Sequence, residues 1–169
     1  MNPACVLVGP MGAGKTTVGE LVAARLGVPF LDTDSIIEAG AGKPISEIFI
    51  DDGEDHFRAL ERAAVAEALA SHPGVLALGG GAVLAPETRE LLRGHTVVFL
   101  SVELADAAQR VGLGVGRPLL AVNPRATMKA LLDARRPVYE EVATAVVATD
   151  GTAPEEVAEA VLAAIARPA

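Results

Sequence analysis

The sequence predicts a three-layer α/β/α domain around a five-stranded parallel sheet, and three observations support this fold class. Short apolar runs rich in Val, Leu and Ala alternate with longer segments whose apolar residues recur at helical spacing. The apolar runs are continuous, which is typical of parallel strands buried on both faces. The chain has 169 residues, which is enough for one domain with a substantial core.

The first half of the chain predicts three strands, each followed by helix or by glycine. Val18, Leu21 and Val22 recur at helical spacing, and Gly27 ends that helix. Pro44 suits the first turn of a short helix. In chain order, the predicted elements are a strand at 4–8, a helix at 16–26, a strand at 28–31, short helices at 35–39 and 44–49, a long amphipathic helix at 54–70 and a strand at 74–78.

The second half predicts two more strands, because TVVFL and AVVAT are short runs of β-branched and apolar residues. Pro137 is expected to close one helix, and Pro154 to begin the last one. In chain order, the predicted elements are a helix at 86–92, a strand at 96–100, a helix at 103–110, a glycine-rich loop at 112–122, a helix at 125–136, a strand at 145–149 and a helix at 154–166.

The composition limits the ligands that we expect. Aromatic residues make up only 3% of the chain, so the core must be built mainly from aliphatic side chains and Ala. The formal net charge is -8, which argues against a general nucleic-acid binder. A phosphate ligand would therefore need a local group of Lys and Arg within an acidic molecule.

Neither a membrane nor an oxidising compartment is expected for this protein. No apolar run approaches the roughly 20 residues of a membrane-spanning helix, and the first residues do not resemble a signal peptide. Cys5 is the single cysteine, so no internal disulfide can form. We expect a cytoplasmic monomer that has no nucleic-acid or membrane partner.

The segment GPMGAGKT, at 9–16, follows the first predicted strand and opens the first predicted helix. It satisfies the phosphate-loop pattern G-x-x-x-x-G-K-[ST] in full. Glycines let backbone N–H groups turn inward around phosphate oxygens, and the helix N-terminus adds partial positive charge. Lys15 supplies a cation, and the Thr16 hydroxyl can coordinate magnesium. The alternative is a glycine-rich turn without a ligand, but the complete motif in this context predicts a nucleoside triphosphate site.

Two further polar segments follow the second and third predicted strands. Because carboxyl ends of parallel strands meet at one edge of a sheet, Asp32, Asp34 and the glycines at 79–81 are expected near the phosphate loop. Asp32 could hold magnesium through water, and Asp34 could take the proton of an acceptor hydroxyl. A helix cap is an equally good reading of Asp34, since Ser35 and Glu38 spell a capping box.

Each arginine, considered by itself, can also be interpreted as a structural or surface residue without a role in ligand binding. Arg58 can pair with glutamates on its own helix, at small gain in stability. Arg135 and Arg136 can complement a helix C-terminus. Arg117 can be a solvated loop residue.

Taken together, six segments resemble one known family. The chain contains, in the order found in shikimate kinases, GPMGAGKTT, LDTD, FRALE, LGGGAV, RPLL and RRPVYEEVA. This likeness extends from the first strand to about residue 143. It implies a phosphate-loop fold of the nucleoside monophosphate kinase type, with one domain at 1–169 and a lid at about 112–122. The implied reaction converts ATP and shikimate to ADP and shikimate 3-phosphate, within aromatic amino-acid biosynthesis.

The resemblance also implies roles for the site residues. Asp34 would orient and deprotonate the attacking hydroxyl, while Lys15, Arg117 and Mg²⁺ would stabilise the transferring phosphate. Arg58 and Arg136 would clamp the shikimate carboxylate. The implied metal ligands are Thr16 and Asp32. The implied ATP-binding residues are Gly12, Ala13, Gly14, Lys15, Thr16, Thr17, Arg110, Arg117 and Pro154. The implied acceptor-binding residues are Asp34, Phe49, Phe57, Arg58, Gly79, Gly80, Gly81 and Arg136, with Ile45 and Leu119 also at the wall of the ring.

Two other functions are open at this point. A kinase of the same architecture could act on another polyol acid or on a nucleotide, such as gluconate or AMP. A nucleotide-gated regulatory module would also need a phosphate loop. The chain has no guanine-reading Asn-Lys-x-Asp motif, and Asp34 would have no purpose in such a module.

Overall fold

Five parallel strands form one sheet in the order β2-β3-β1-β4-β5. The computed structural model describes residues 3–103 and 124–166. The strands are β1 (Cys5–Val8), β2 (Phe30–Asp32), β3 (Val75–Ala77), β4 (Val97–Ser101) and β5 (Ala145–Ala148). The predicted fold class is therefore confirmed, and all five strands lie within about two residues of their predicted positions.

Seven α-helices occur in the described residues. They are α1 (Lys15–Leu26), α2 (Thr33–Ala41), α3 (Ile45–Asp52), α4 (Glu54–Ser71), α5 (Pro86–Leu92), α6 (Pro124–Val142) and α7 (Pro154–Ala166). None of them is long and apolar enough to cross a membrane. The helix predicted at 103–110 and the loop predicted at 112–122 lie outside the described residues.

Each central strand contributes side chains to two hydrophobic clusters, one on either face of the sheet. In β1, Leu7 belongs to the cluster beneath α1 and α7, whereas Val6 and Val8 belong to the cluster beneath α4. The same alternation separates Leu100 from Phe99 in β4. These strands are uniformly buried, because helices cover both faces of the sheet.

A third, smaller cluster joins α2, α3 and α4 beside the sheet. Ile37, Ile48, Phe57 and Ala64 form its buried part. Glu38 fastens α2 to α3, since its Oε2 accepts the Ile45 N–H at 2.9 Å. This packing holds the three helices as a wall over the carboxyl edge of β2 and β3.

The end predicted for the helix at 125–136 is wrong. The helix α6 continues through Pro137 as far as Val142. Proline removes one backbone donor, but Tyr139 beyond it is 1% exposed and packs on the sheet. Tertiary packing therefore outweighs the helix-breaking tendency of proline.

Two glycines provide a matched test of this packing. A side chain at Gly74 would collide with the backbone carbonyl of Pro29, which already accepts the Val75 N–H at 2.9 Å. Gly40 lies in α2 with open space around its Cα. We predict that Gly74→Ala lowers the free energy of unfolding by about 2 kcal/mol or more, whereas Gly40→Ala raises it by about 0.5 kcal/mol. Urea unfolding measures both, and equal effects would contradict the β2–β3 contact.

Candidate active site

One cavity of about 830 Å³ opens where the phosphate loop, the end of β2 and the end of β3 meet. Every sequence-predicted site residue in the described ranges lines it, except Arg136. These lining residues are Gly12, Ala13, Gly14, Lys15, Thr16, Thr17, Asp32, Asp34, Ile45, Phe49, Phe57, Arg58, Gly79, Gly80, Gly81 and Pro154. The predicted residues Arg110, Arg117 and Leu119 lie outside the described residues.

The phosphate loop has a backbone that only glycine adopts readily. Gly12 and Gly14 have φ angles of 86° and 87°, and Gly14 is the N-cap of α1. The first turn of α1 itself contains no acidic residue that would offset the partial positive charge of the helix N-terminus. The Lys15 ammonium donates to the carbonyls of Gly9 at 2.6 Å and Pro10 at 3.0 Å, which holds it over the loop. The loop is therefore shaped and charged for an anion.

Thr16 and Asp32 bring two hard oxygen donors together beside the loop. The Thr16 hydroxyl donates to Asp32 Oδ2 at 3.0 Å, which joins the first turn of α1 to the end of β2. Within the described residues, no group of three or more His, Cys, Asp or Glu is arranged as a metal centre. A magnesium ion bound through few protein ligands, with phosphate and water oxygens completing its shell, fits this donor set.

Asp34 is not the cap of its helix. Asp32 caps α2, because its Oδ1 accepts the Asp34 N–H at 2.9 Å. The capping-box reading is also wrong, since Glu38 binds the start of α3 instead. The Asp34 Oδ1 atom is buried and has no hydrogen-bond partner in the described structure. A buried carboxylate oxygen left in this state suits a hydroxyl group that arrives with a ligand.

Burial, which is the largest cause, and the negative charges of Asp32 and Glu61 together raise the pKa of Asp34 to about 6. The positive charge of Lys15 acts in the opposite direction. A carboxylate with this pKa is ionised at neutral pH, yet it is a stronger base than an ordinary Asp. Its position and its pKa both favour proton abstraction in this cavity.

The glycines at 79–81 allow charged side chains to lie directly against the backbone. A Cβ atom at Gly79 would stand 2.7 Å from Asp34 Oδ1, and one at Gly81 would stand 2.5 Å from Arg58 Nη1. A Cβ atom at Gly80 would stand 3.6 Å from Arg135 Nη1, so this guanidinium also lies beside the glycine segment. The triplet is thus a floor on which three functional side chains rest.

Arg58 is held in place from three sides. Its guanidinium donates to Glu61 at 2.8 Å and to Glu54 at 3.3 Å, and it lies 5.2 Å from the centre of the Phe57 ring. The Glu61 side chain is only 5% exposed. The expected pairing of Arg58 with glutamates on its own helix is therefore present, but the pair with Glu61 is buried in the cavity wall, which fixes the direction of the guanidinium.

The structure places Arg135, rather than Arg136, in the cavity. Arg135 is 7% exposed and lines the cavity wall. Arg136 instead lies 3.8 Å from Glu103 and over the Phe99 ring. Consecutive residues of a helix point about 100° apart, so only one of the pair can face the site. The prediction that Arg136 joins the acceptor pocket is therefore corrected to Arg135.

The helix α6 contained a signal that would have identified Arg135. Met128, Leu132, Arg135 and Tyr139 recur at helical spacing and form one inward face. Ending the helix at Pro137 removed Tyr139 from that pattern. In the sequence, Glu61 is one of the glutamates that Arg58 can pair with on its own helix, and nothing local marks it as buried. Its burial depends on how α4 packs against the glycine triplet, which the sequence does not display.

A phosphate loop after the first strand of a parallel sheet, facing an acceptor wall with Arg58, Arg135 and Asp34, defines a kinase of small molecules. The family model described as Shikimate kinase matches residues 11–166. A shikimate kinase of Salinispora arenicola is 70% identical over 166 residues, covering 98% of this chain and 99% of that protein. The chain belongs to the shikimate kinase family.

Two further comparisons agree with this assignment. A shikimate kinase of Thermobifida fusca is 62% identical over 158 residues, covering 94% of this chain and 92% of that protein. A solved structure of the shikimate kinase of Acinetobacter baumannii in complex with shikimate has a TM-score of 0.93. It is 40% identical and covers 98% of this chain and 93% of that chain.

The raised pKa of Asp34 predicts a cost in stability. Because the folded protein binds a proton there more tightly than the unfolded chain does, this group lowers stability as pH rises from about 4 to about 6. Above pH 6 the loss is complete. We predict that Asp34→Asn is more stable than the wild type by about 2 kcal/mol at pH 7.5. Urea unfolding at several pH values measures this, and an advantage that persists at pH 4 would contradict it.

Proposed function

We propose that the protein transfers the γ-phosphoryl group of ATP to a ring hydroxyl of shikimate, giving ADP and shikimate 3-phosphate. The observation that carries this proposal is the unpartnered Oδ1 of Asp34, which lines the same cavity as the phosphate loop. An activated hydroxyl and a bound triphosphate can meet there. Family membership supports the choice of reaction.

ATP would bind with its phosphates in the loop at 9–16. The backbone donors of that loop, the α1 N-terminus and Lys15 offset the negative charge of the phosphates. Thr149, Thr152 and Pro154 lie along the β5 side of the cavity and would border the nucleoside. We also propose contacts of ATP with Arg110 and Arg117 from the segment predicted as a lid.

We infer that Mg²⁺ binds at Thr16 and Asp32, whose oxygens are 3.0 Å apart. When bound, the ion would supply positive charge to the phosphate oxygens.

Shikimate carries one carboxylate on a small hydroxylated ring, and the acceptor wall suits each part. The planar guanidinium groups of Arg58 and Arg135 match a carboxylate better than a lysine would. The apolar rings of Phe49 and Phe57, whose centroids are 4.9 Å apart, would contact the ring carbons. Asp34 would then accept a hydrogen bond from the attacking hydroxyl and take its proton.

All the described groups of this site come from one chain, which suits a monomer. A cytoplasmic location, where ATP is plentiful and Cys5 stays reduced, suits the reaction.

A second candidate is phosphoryl transfer to another small anion, such as gluconate or AMP. Arg58 and Arg135 would bind the anionic group of either acceptor. The size of the cavity alone does not separate these acceptors, so the test must compare them directly.

The decisive assay measures ADP release by the purified protein with ATP, Mg²⁺ and each acceptor in turn. We expect release that depends on shikimate and is much slower with gluconate or AMP. We expect Asp34→Asn to lower kcat by about 10²- to 10⁴-fold, with ATP binding nearly unchanged. The wild-type kcat/KM should fall about tenfold per pH unit below pH 6, as Asp34 gains a proton. Release that is equally fast without any acceptor, or fastest with AMP, would contradict the proposal.

The adjacent arginines provide a matched pair of variants. Removing Arg135 deletes a guanidinium that lines the cavity, whereas removing Arg136 deletes one that faces Glu103. We predict that Arg135→Ala raises KM for shikimate by about 30- to 100-fold, as expected for a charged hydrogen bond. Arg136→Ala is expected to leave both KM values almost unchanged. Steady-state kinetics checks both, and the reverse order of effects would return the carboxylate role to Arg136.

A further inference from the structure

Tyr139 is a buried polar side chain that the mechanism above does not use. It is 1% exposed, and its hydroxyl donates to the carbonyl oxygen of Gly80 at 2.6 Å. Its ring packs against Phe99, with the ring centres 5.0 Å apart. The hydroxyl therefore reaches from the interior of the sheet to the glycine floor of the acceptor pocket.

The direction of the hydrogen bonds at this hydroxyl is fixed by chemistry. A carbonyl oxygen can only accept, so the single proton of Tyr139 must point to Gly80. A guanidinium can only donate, and the Arg135 guanidinium lies close enough to the Tyr139 hydroxyl for its positive charge to lower the pKa of that hydroxyl. Arg135, the Tyr139 hydroxyl and the Gly80 carbonyl are therefore neighbours in one polar group, in which the positive charge strengthens the O–H donor toward Gly80.

We propose that Tyr139 is a positioning residue that sets the carboxylate site for the acceptor, by holding Arg135 and the peptide between Gly80 and Gly81 in one fixed arrangement. The inference rests on the proposed function, because it concerns how that site recognises the carboxylate of shikimate.

The peptide that Tyr139 holds lies between the two arginines of the acceptor wall. Nη1 of Arg135 lies beside Gly80, and the guanidinium of Arg58 lies against Gly81. In a trans peptide the carbonyl and the next N–H point in opposite directions. Fixing the Gly80 carbonyl toward Tyr139 therefore also fixes the direction of the Gly81 N–H. One hydroxyl thus controls the spacing of two guanidinium groups and the orientation of the backbone between them.

The continuation of α6 through Pro137 makes this arrangement possible. Residues four apart on a helix lie one above the other, so Arg135 and Tyr139 share the inward face of α6. A long arginine side chain loses rotamer freedom when it binds a ligand. Holding Arg135 by Tyr139 before the ligand arrives reduces that loss and favours binding.

Burial raises the pKa of Tyr139 to about 12, with Arg135 acting in the opposite direction. The hydroxyl therefore keeps its proton at physiological pH and remains a donor to Gly80. The effect of removing it is expected to be the same from pH 6 to pH 9.

The variant Tyr139→Phe tests the proposal because it removes the hydroxyl and keeps the ring on Phe99. We expect the Kd for shikimate, measured by calorimetry, and the KM for shikimate to rise by about tenfold. The KM for ATP is expected to stay nearly unchanged. A merely structural tyrosine would lower stability or affect both substrates alike.

The methyl ester of shikimate, which carries no negative charge, separates a loss of carboxylate recognition from a general distortion of the acceptor site. Tyr139→Phe is expected to weaken binding of shikimate while leaving the weaker binding of the ester almost unchanged. In protein that already carries Arg135→Ala, Tyr139→Phe is expected to weaken shikimate binding little further. Both substitutions act on the same interaction, the one between Arg135 and the carboxylate.

A control variant removes a hydroxyl of similar kind away from the cavity. The Thr144 hydroxyl donates to the Val97 carbonyl at 2.9 Å and accepts the Val97 N–H at 3.0 Å. Thr144→Val is expected to lower stability without changing the KM for shikimate. An equal rise in this KM for both variants would overturn the proposal.

Tyr139 is the only tyrosine in the sequence, which allows a second measurement without mutation. Replacing tyrosine with 3-fluorotyrosine during expression labels this position alone. The fluorine resonance is expected to shift when shikimate is added, and much less with the ester. This measurement decides the question if Tyr139→Phe does not fold.

The outcomes distinguish the two proposals. Wild-type protein that turns over shikimate, with Tyr139→Phe unchanged in its affinity for shikimate, overturns the positioning role alone. If Tyr139→Phe weakens the binding of shikimate and of its methyl ester by the same factor, the positioning role is also overturned. Wild-type protein that neither binds nor phosphorylates shikimate overturns both proposals together.

Discussion

The close approach of charged side chains to the backbone at Gly79, Gly80 and Gly81 is the constraint on which the site depends. Any side chain at Gly79 or Gly81 would enter the space of the Asp34 carboxylate or the Arg58 guanidinium. The floor is itself held from two directions. Thr33 accepts the Gly79 N–H at 3.2 Å from the β2 side, and Tyr139 binds the Gly80 carbonyl from α6. A short glycine segment after β3 thereby sets the relative positions of the groups that we propose to bind and activate the acceptor.

Charge in this cavity is balanced by pairing rather than by an excess of cations. The chain as a whole carries -8, and both the Glu61 side chain and the Oδ1 atom of Asp34 are buried in the cavity wall. Burial raises the pKa of Glu61, and its hydrogen bond with Arg58 opposes that rise. Arg58 is oriented by this pair, while Asp34 keeps an unpaired oxygen. The same burial that would make Asp34 a stronger base in the proposed reaction reduces stability, which is a common feature of active sites.

Much of the fold followed from local pattern. Continuous apolar runs predicted buried parallel strands, and the helices at Pro86–Leu92 and Pro154–Ala166 begin and end where the sequence indicated. The phosphate loop was predictable residue by residue, because its backbone conformation depends on glycines within one short segment. Local pattern left Asp34 open between a helix cap and a catalytic group, since two neighbouring carboxylates offered the same local chemistry, and the structure places Asp32 at the cap.

The sequence by itself therefore determined the sheet, the phosphate loop and the types of side chain at the carboxyl edge, because these depend on neighbours along the chain. Tertiary packing, and not the local helix-ending signal of Pro137, decided which of two adjacent arginines faces the cavity. The helical spacing that indicates Arg135 includes Tyr139 only because α6 continues through Pro137, and the packing of Tyr139 against Phe99 and Gly80 accompanies this continuation. Contacts between residues some 40 to 60 positions apart outweighed a local helix-breaking signal, and local patterns contain no record of such contacts.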